Sequence, residues 1–147
     1  MGKTLVAVSG SFDPLHDGHI NLLKEARALV DELVVILKGD RRLTRKKGHF
    51  LMNAEQRKKI VEGVKWVDRV IIYDTLTEDH YDFSGALEQI RPNIYCAGAD
   101  KNIQSEHQKV LEICERLGIE IKYGVGGDKI SNSSEILRNY VNKINGK

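Results

Sequence analysis

The chain has 147 residues, 41% hydrophobic, 30% charged and 6% aromatic, with 13 Gly and 2 Pro. This is the make-up of one globular domain, 1–147, too apolar for disorder and too short for two full-size domains. Its longest apolar stretches, around Leu5–Val8 and Leu33–Leu37, fall far short of the roughly 20 residues that cross a bilayer, so no membrane-spanning helix is expected. Net charge is +2, yet residues 38 to 47 hold six bases (Lys38, Arg41, Arg42, Arg45, Lys46, Lys47) against one acid (Asp40), a local +5 that leaves −3 elsewhere. That balance excludes a nucleic-acid footprint and fits a small, highly charged ligand.

In chain order, Thr4 to Ser9 reads as a buried strand stopped by Gly10, and Gly18 to Val30 as a helix with Ile20, Leu23, Ala26 and Leu29 inward. Glu32 to Leu37 is a second strand, followed by the basic segment, expected as a mobile loop between Gly39 and Gly48. Asn53 with Gln56 forms a capping-box pattern opening a helix through Val64, with Ile60, Val61 and Val64 inward. Strands are predicted over Arg69 to Tyr73, Asn93 to Ala97 and Ile119 to Tyr123. Helices are predicted over Asp82 to Ile90, over Gln104 to Leu117, and after the capping pair Asn132 and Glu135. Strands and helices alternate without repeats. The expected fold is α/β: a Rossmann-like, doubly wound, mostly parallel five-stranded sheet with helices on both faces. Chemistry is then expected after the carboxyl ends of the strands. Cys96 and Cys114, with no C-x-x-C pair, read as buried thiols in a cytoplasmic protein, as does the lack of a secretory apolar core near residue 1.

The richest segment is Gly10-Ser11-Phe12-Asp13-Pro14-Leu15-His16-Asp17-Gly18-His19, between the first strand and the first helix. Gly10 and Gly18 admit backbone close to a ligand, and a helix N-terminus presents unpaired N–H groups to phosphate. His16 and His19 add donors suited to a triphosphate or a departing pyrophosphate. Phe12 is expected as a core plug and Asp13 as the acceptor of local turn hydrogen bonds. His16, His19 and Asp13 have chelating spacing, but no nearby His or Cys completes a shell, so no protein metal site is expected.

The string GSFDPLHDGH resembles the G-[ST]-F-D-x-x-H-x-G-H signature of the cytidylyltransferase-like nucleotidyltransferases. This superfamily includes glycerol-3-phosphate cytidylyltransferase and heptose-phosphate adenylyltransferase. Glu55-Gln56-Arg57, Val67-Asp68-Arg69-Val70, Gly98 with Asp100, and Ser131 to Arg138 resemble further elements of the family in the same order. The resemblance implies transfer of a nucleotidyl group from a nucleoside triphosphate, with Mg²⁺, to a phosphorylated small molecule. His16, His19, Lys46 and Lys47 are the implied catalytic residues. Gly10, Ser11, Phe12, Gly18, Arg57, Gly98, Asp100, Lys129, Ser133 and Ser134 would form the nucleotide site, and Lys101 would stand near base or acceptor.

Glycerol-3-phosphate cytidylyltransferase carries an arginine where this chain has Gly124 to Lys129, so Lys129 or Arg138 would supply that phosphate contact. Glycines 124, 126 and 127 leave room for a purine, and Pro14 is a feature of adenylyl-transferring relatives, which favours ATP over CTP. The expected acceptor is a sugar or polyol phosphate such as heptose 1-phosphate or glycerol 3-phosphate. The alternatives are adenylyl transfer to a cofactor precursor (pantetheine phosphate, NMN or FMN) and a non-catalytic nucleotide-binding regulator. A homodimer is expected, Trp66 and Tyr73 fitting core or subunit contact alike, with no nucleic-acid or membrane partner.

Overall fold

The computed structural model describes residues 2–146. Its strands are β1 (Leu5–Gly10), β2 (Glu32–Lys38), β3 (Arg69–Tyr73), β4 (Ile94–Cys96) and β5 (Glu120–Lys122), all parallel in the order β3-β2-β1-β4-β5. The helices are α1 (Asp17–Arg27), α2 (Asp40–Lys47), α3 (Ala54–Glu62), α4 (Ser84–Ile90), α5 (Gln108–Leu117) and α6 (Ser133–Ile144). No helix of the described residues is long and apolar enough to cross a membrane.

Alternation along the central strands builds two cores. Val6 and Val8 of β1 and Leu33, Val35 and Leu37 of β2 pack with Leu23 and Ala26 of α1 and Val61 of α3. On the other face Ala7 and Ile36 pack with Ala86 and Leu87 of α4 and Val110, Ile113 and Cys114 of α5. Both faces of a parallel sheet are thereby covered, and its central strands carry the unbroken apolar runs Leu5–Val8 and Leu33–Leu37. Cys96 and Cys114 are both buried, and burial pushes each thiol up to about 11, which leaves them inert as nucleophiles.

Most departures from the expected elements are at their ends. Leu29 lies beyond the last turn of α1 and is exposed, as is Ile60 on the outer side of α3. The helix expected from Gln104 begins at Gln108, with His107 as its cap.

The basic segment is the substantive correction, because residues 40–47 form a helix and not a loop. Its arginines are held by acceptors of the following chain. Arg42, 2% exposed, donates to the carbonyls of Thr75, His80 and Asp82 and to the hydroxyl of Thr77, and its guanidinium lies 4.9 Å from the Tyr73 ring. Arg45 donates to the Thr77 and Glu78 carbonyls, and Arg41 pairs with Asp74. Three of the six bases are thus occupied by protein acceptors. Gly39 is required at the start of α2, since a Cβ there would stand 2.2 Å from Asp74 Cγ.

Arg57 is wholly enclosed. It donates to the carbonyls of Ser11, Lys38 and Met52 and pairs with Asp40 at 2.8 Å, joining α3 to the ends of β1 and β2. Arg57→Met would leave these acceptors unpaired in a buried setting and is expected to cost about 3–5 kcal/mol of stability. Urea unfolding reads this directly, and a loss under about 1 kcal/mol would contradict the assignment.

Candidate active site

β1 is the point where the chain order reverses: β2 and β3 lie to one side, β4 and β5 to the other. The crevice beyond the carboxyl end of such a strand is where doubly wound sheets bind ligands. Here it is a cleft of about 590 Å³. Phe12 turns the chain out of β1 with φ +51, a left-handed conformation rare for a bulky residue, and sinks its ring into the core. That ring explains Gly10, where a Cβ would stand 2.9 Å from Phe12 Cε2.

Asp13 does not make the expected local bonds. Its buried carboxylate accepts the N–H groups of Leu51 and Met52, at 2.6 and 2.9 Å, and so fastens the opening motif to the connection between α2 and α3. A partner 38 residues away leaves no trace in the local pattern.

His16 is the N-cap of α1, and its Nδ1 accepts the N–H groups of Gly18 (3.1 Å) and His19 (3.4 Å). Reciprocally, His19 Nδ1 accepts the N–H of His16 at 3.1 Å. The rings stack with centroids 3.6 Å apart. A ring nitrogen that accepts a hydrogen bond carries no proton, so each neutral imidazole holds its hydrogen on Nε2. Burial, then the neighbouring His16, lowers His19 to about 3, and burial is also the main cause lowering His16. Both rings line the cleft. The expected cradle of backbone N–H groups at α1 is therefore corrected: Gly18 and His19 spend theirs on the rings, and the rings carry donors onward. Gly18 keeps the stack in place, since a Cβ would meet His16 Cε1 at 3.1 Å.

Around these rings the structure gathers most of the expected residues. Gly10, Ser11, Phe12, Gly18, Lys46, Lys47, Gly98, Asp100, Lys129, Ser133 and Ser134 all line the cleft. Ser133 and Ser134 open α6, where Asn132 caps the N–H of Glu135 and Ser133 Oγ donates to the carbonyl of Pro14. Lys129 Nζ stands 3.6 Å from Asp100 Oδ2 across the mouth. Arg57 does not reach the cleft and acts beneath it, through the carbonyls it holds. Arg138 is exposed on α6 and also lies outside it. Gly126 and Gly127 line the wall. Gly126 also lies against α1, where a Cβ would meet the Leu22 backbone at 2.9 Å.

Sequence reasoning missed another part of the cleft wall. Lys38, the last residue of β2, is half-buried, and burial, then Lys46, Arg42 and Lys101, bring it down to about 7. His80, Tyr73, Phe83 and Tyr95 stand there too. Lys101 Nζ lies 3.1 Å from the enclosed carboxylate of Glu106 and 3.3 Å from the Tyr95 hydroxyl. Burial and Glu106 raise Tyr95 well above its usual range and Tyr123 to about 12. Cations on the wall number six (Lys38, Arg42, Lys46, Lys47, Lys101, Lys129) against two acids, Asp100 and Asp128, an excess suited to a polyanion of small size.

A doubly wound sheet with a cationic cleft at its switch point suits a phosphate-bearing ligand such as a nucleotide. The chain belongs to the cytidylyltransferase-like family, whose model matches residues 7–139, and it is a nucleotidyltransferase. It is 32% identical over 143 residues to a protein named FAD synthase from Aciduliprofundum boonei (strain DSM 19572 / T469), covering 95% of this chain and 91% of that one. It is 33% identical to the bifunctional protein HldE of Desulfatibacillum aliphaticivorans over 80% of this chain but 23% of that protein. Among solved structures, the lipopolysaccharide core biosynthesis protein from Thermoplasma volcanium GSS1 superposes with a TM-score of 0.69 at 28% identity, covering 88% of this chain and 100% of that one.

Because His19 titrates lower when folded, the unfolded chain binds the extra proton between about pH 6.5 and 3. This contribution to stability is present in full above pH 6.5 and is lost as pH falls through that window. Nitrogen-15 spectra of the imidazoles are expected to report Nε2–H tautomers for His16 and His19, with His19 unprotonated at pH 5. A midpoint near 6.5 for His19 would contradict the capping geometry.

Proposed function

We propose that the chain transfers the AMP group of ATP to FMN, forming FAD and releasing pyrophosphate. The observation that carries this reading is the likeness to FAD synthase over nearly the full length of both chains, whereas the likeness to HldE takes in 23% of that protein. The cofactor-precursor acceptor thus displaces the sugar or polyol phosphate as the main reading. ATP follows, because the product contains AMP.

The cleft suits this chemistry. FMN is a phosphate monoester whose second pKa lies near 6, so at neutral pH it is a dianionic nucleophile that needs no general base. What the protein supplies is alignment of that oxygen with the α-phosphorus and neutralisation of the charge that moves onto pyrophosphate. His16 and His19 donate from Nε2, Lys46 and Lys47 bring charge from α2, and Ser133 and Ser134 offer the first-turn donors of α6. Mg²⁺ bound with ATP would supply neutralisation of the phosphate charge. Among the described residues the acids on the wall are Asp100 and Asp128, which fits an ion held chiefly by the substrate, with Asp100 as the protein carboxylate beside it. A homodimer is part of the proposal, supported by the exposed apolar stripe Ile136, Tyr140, Val141 and Ile144 on α6.

The test is FAD and pyrophosphate formation from ATP and FMN, compared with CTP and with glycerol 3-phosphate or heptose 1-phosphate. FAD is expected as the preferred product, and a preference for CTP or a sugar phosphate would overturn the assignment. His16→Asn keeps an N-capping oxygen but cannot extend a donor into the cleft. It is expected to lower kcat on the order of a hundredfold with Tm little changed. Near-normal turnover would remove His16 from the mechanism.

A further inference from the structure

We propose that Lys38, Lys101 and His80, with Lys46 between this cluster and the triphosphate, form a dedicated subsite for the phosphate of the acceptor. The inference rests on the nucleotidyl-transfer reading above and deepens it by giving the second substrate a place.

The topology sets the cluster. β1 ends at Gly10, and its two neighbours β2 and β4 deliver Lys38 and Lys101 to either side of that end. Lys46 descends from α2, and His80 from the segment between β3 and α4; all four line the same cleft. Lys101 alone of the four has a close carboxylate, Glu106 at 3.1 Å. Among the described residues neither Lys38 nor Lys46 has one within ion-pair distance, and Asp100 acts on Lys46 only from further off. His80 Nε2 is shielded from solvent and has no hydrogen-bond partner among the described residues.

Half-buried ammonium groups crowded together without counter-ions are unfavourable by themselves, and a bound dianion relieves the repulsion. Burial is the main cause that lowers Lys38, and the neighbouring Lys46, Arg42 and Lys101 add to it. Arg42 is no competitor for the ligand, because its donors are already committed to Thr75, Thr77, His80 and Asp82. In-line displacement also requires nucleophile and leaving group on opposite sides of the α-phosphorus. The histidine pair and the start of α6 then serve the triphosphate, and the cationic cluster on the same cleft wall holds the entering phosphomonoester.

The experiment is equilibrium dialysis of radiolabelled orthophosphate against the full chain saturated with α,β-methylene-ATP. One phosphate per chain is expected. Lys38→Gln and His80→Gln are expected to weaken it tenfold or more, while Lys38→Arg retains it as a check on folding. With FMN and ATP as substrates, Lys38→Gln is expected to raise the KM for FMN about tenfold and to change that for ATP less than twofold. Absence of phosphate binding, binding unchanged by Lys38→Gln, or displacement of phosphate by the nucleotide analogue would each overturn the subsite. Phosphate bound through Lys38 without FAD formation would sink the FMN assignment alone. FAD formation with an unchanged KM for FMN in Lys38→Gln would sink the subsite alone.

Discussion

Two imidazole nitrogens accept backbone hydrogen bonds at the start of α1, and the rest of the site depends on that exchange. His16 Nδ1 takes the N–H groups of Gly18 and His19, and His19 Nδ1 takes that of His16. One arrangement caps the helix, fixes both ring planes, selects the Nε2–H tautomer and keeps the rings uncharged. A cationic imidazole would have to surrender its acceptor nitrogen and so the cap, a cost added to that of burial. Donors fixed before the substrate arrives need no reorganisation during the reaction, which makes them effective toward a leaving group.

The charged residues divide into two kinds. Arg42, Arg45 and Arg57 direct their guanidinium groups at carbonyl oxygens and build the walls. Arginine suits this, having five donors in a fixed fork. Lys38, Lys46 and Lys47 keep theirs for the cleft, on flexible stems that can follow a phosphate between ground and transition states. The basic helix α2 does both, with arginines toward the segment 74–82 and Lys46 and Lys47 toward the cleft.

The alternation of strand and helix, the five strands and the switch point were legible because apolar patterning is local: Val6, Val8, Leu33 and Val35 announce buried strands wherever they sit in the fold. The opening motif was legible because its residues are contiguous. What stayed hidden depends on contacts distant in sequence. Asp13 bonds to Leu51 and Met52, and the ordering of α2 depends on carbonyls more than thirty residues on. Arg57 sits in a family string yet is spent on the walls. Lys38 belongs by sequence to the basic segment, and its one local clue is its place as the polar end of the otherwise apolar run Leu33–Leu37. His80 carried no local signal, lying in an irregular stretch that only the fold brings to the cleft.

In this account the protein aligns and neutralises, and no side chain bonds to phosphorus. The configuration at phosphorus tests that most directly. With a single diastereomer of ATP bearing sulfur on the α-phosphorus, direct displacement by the acceptor phosphate predicts inversion in the thio-substituted product. Retention would require two displacements and hence a covalent nucleotidyl-protein intermediate, which would contradict the account.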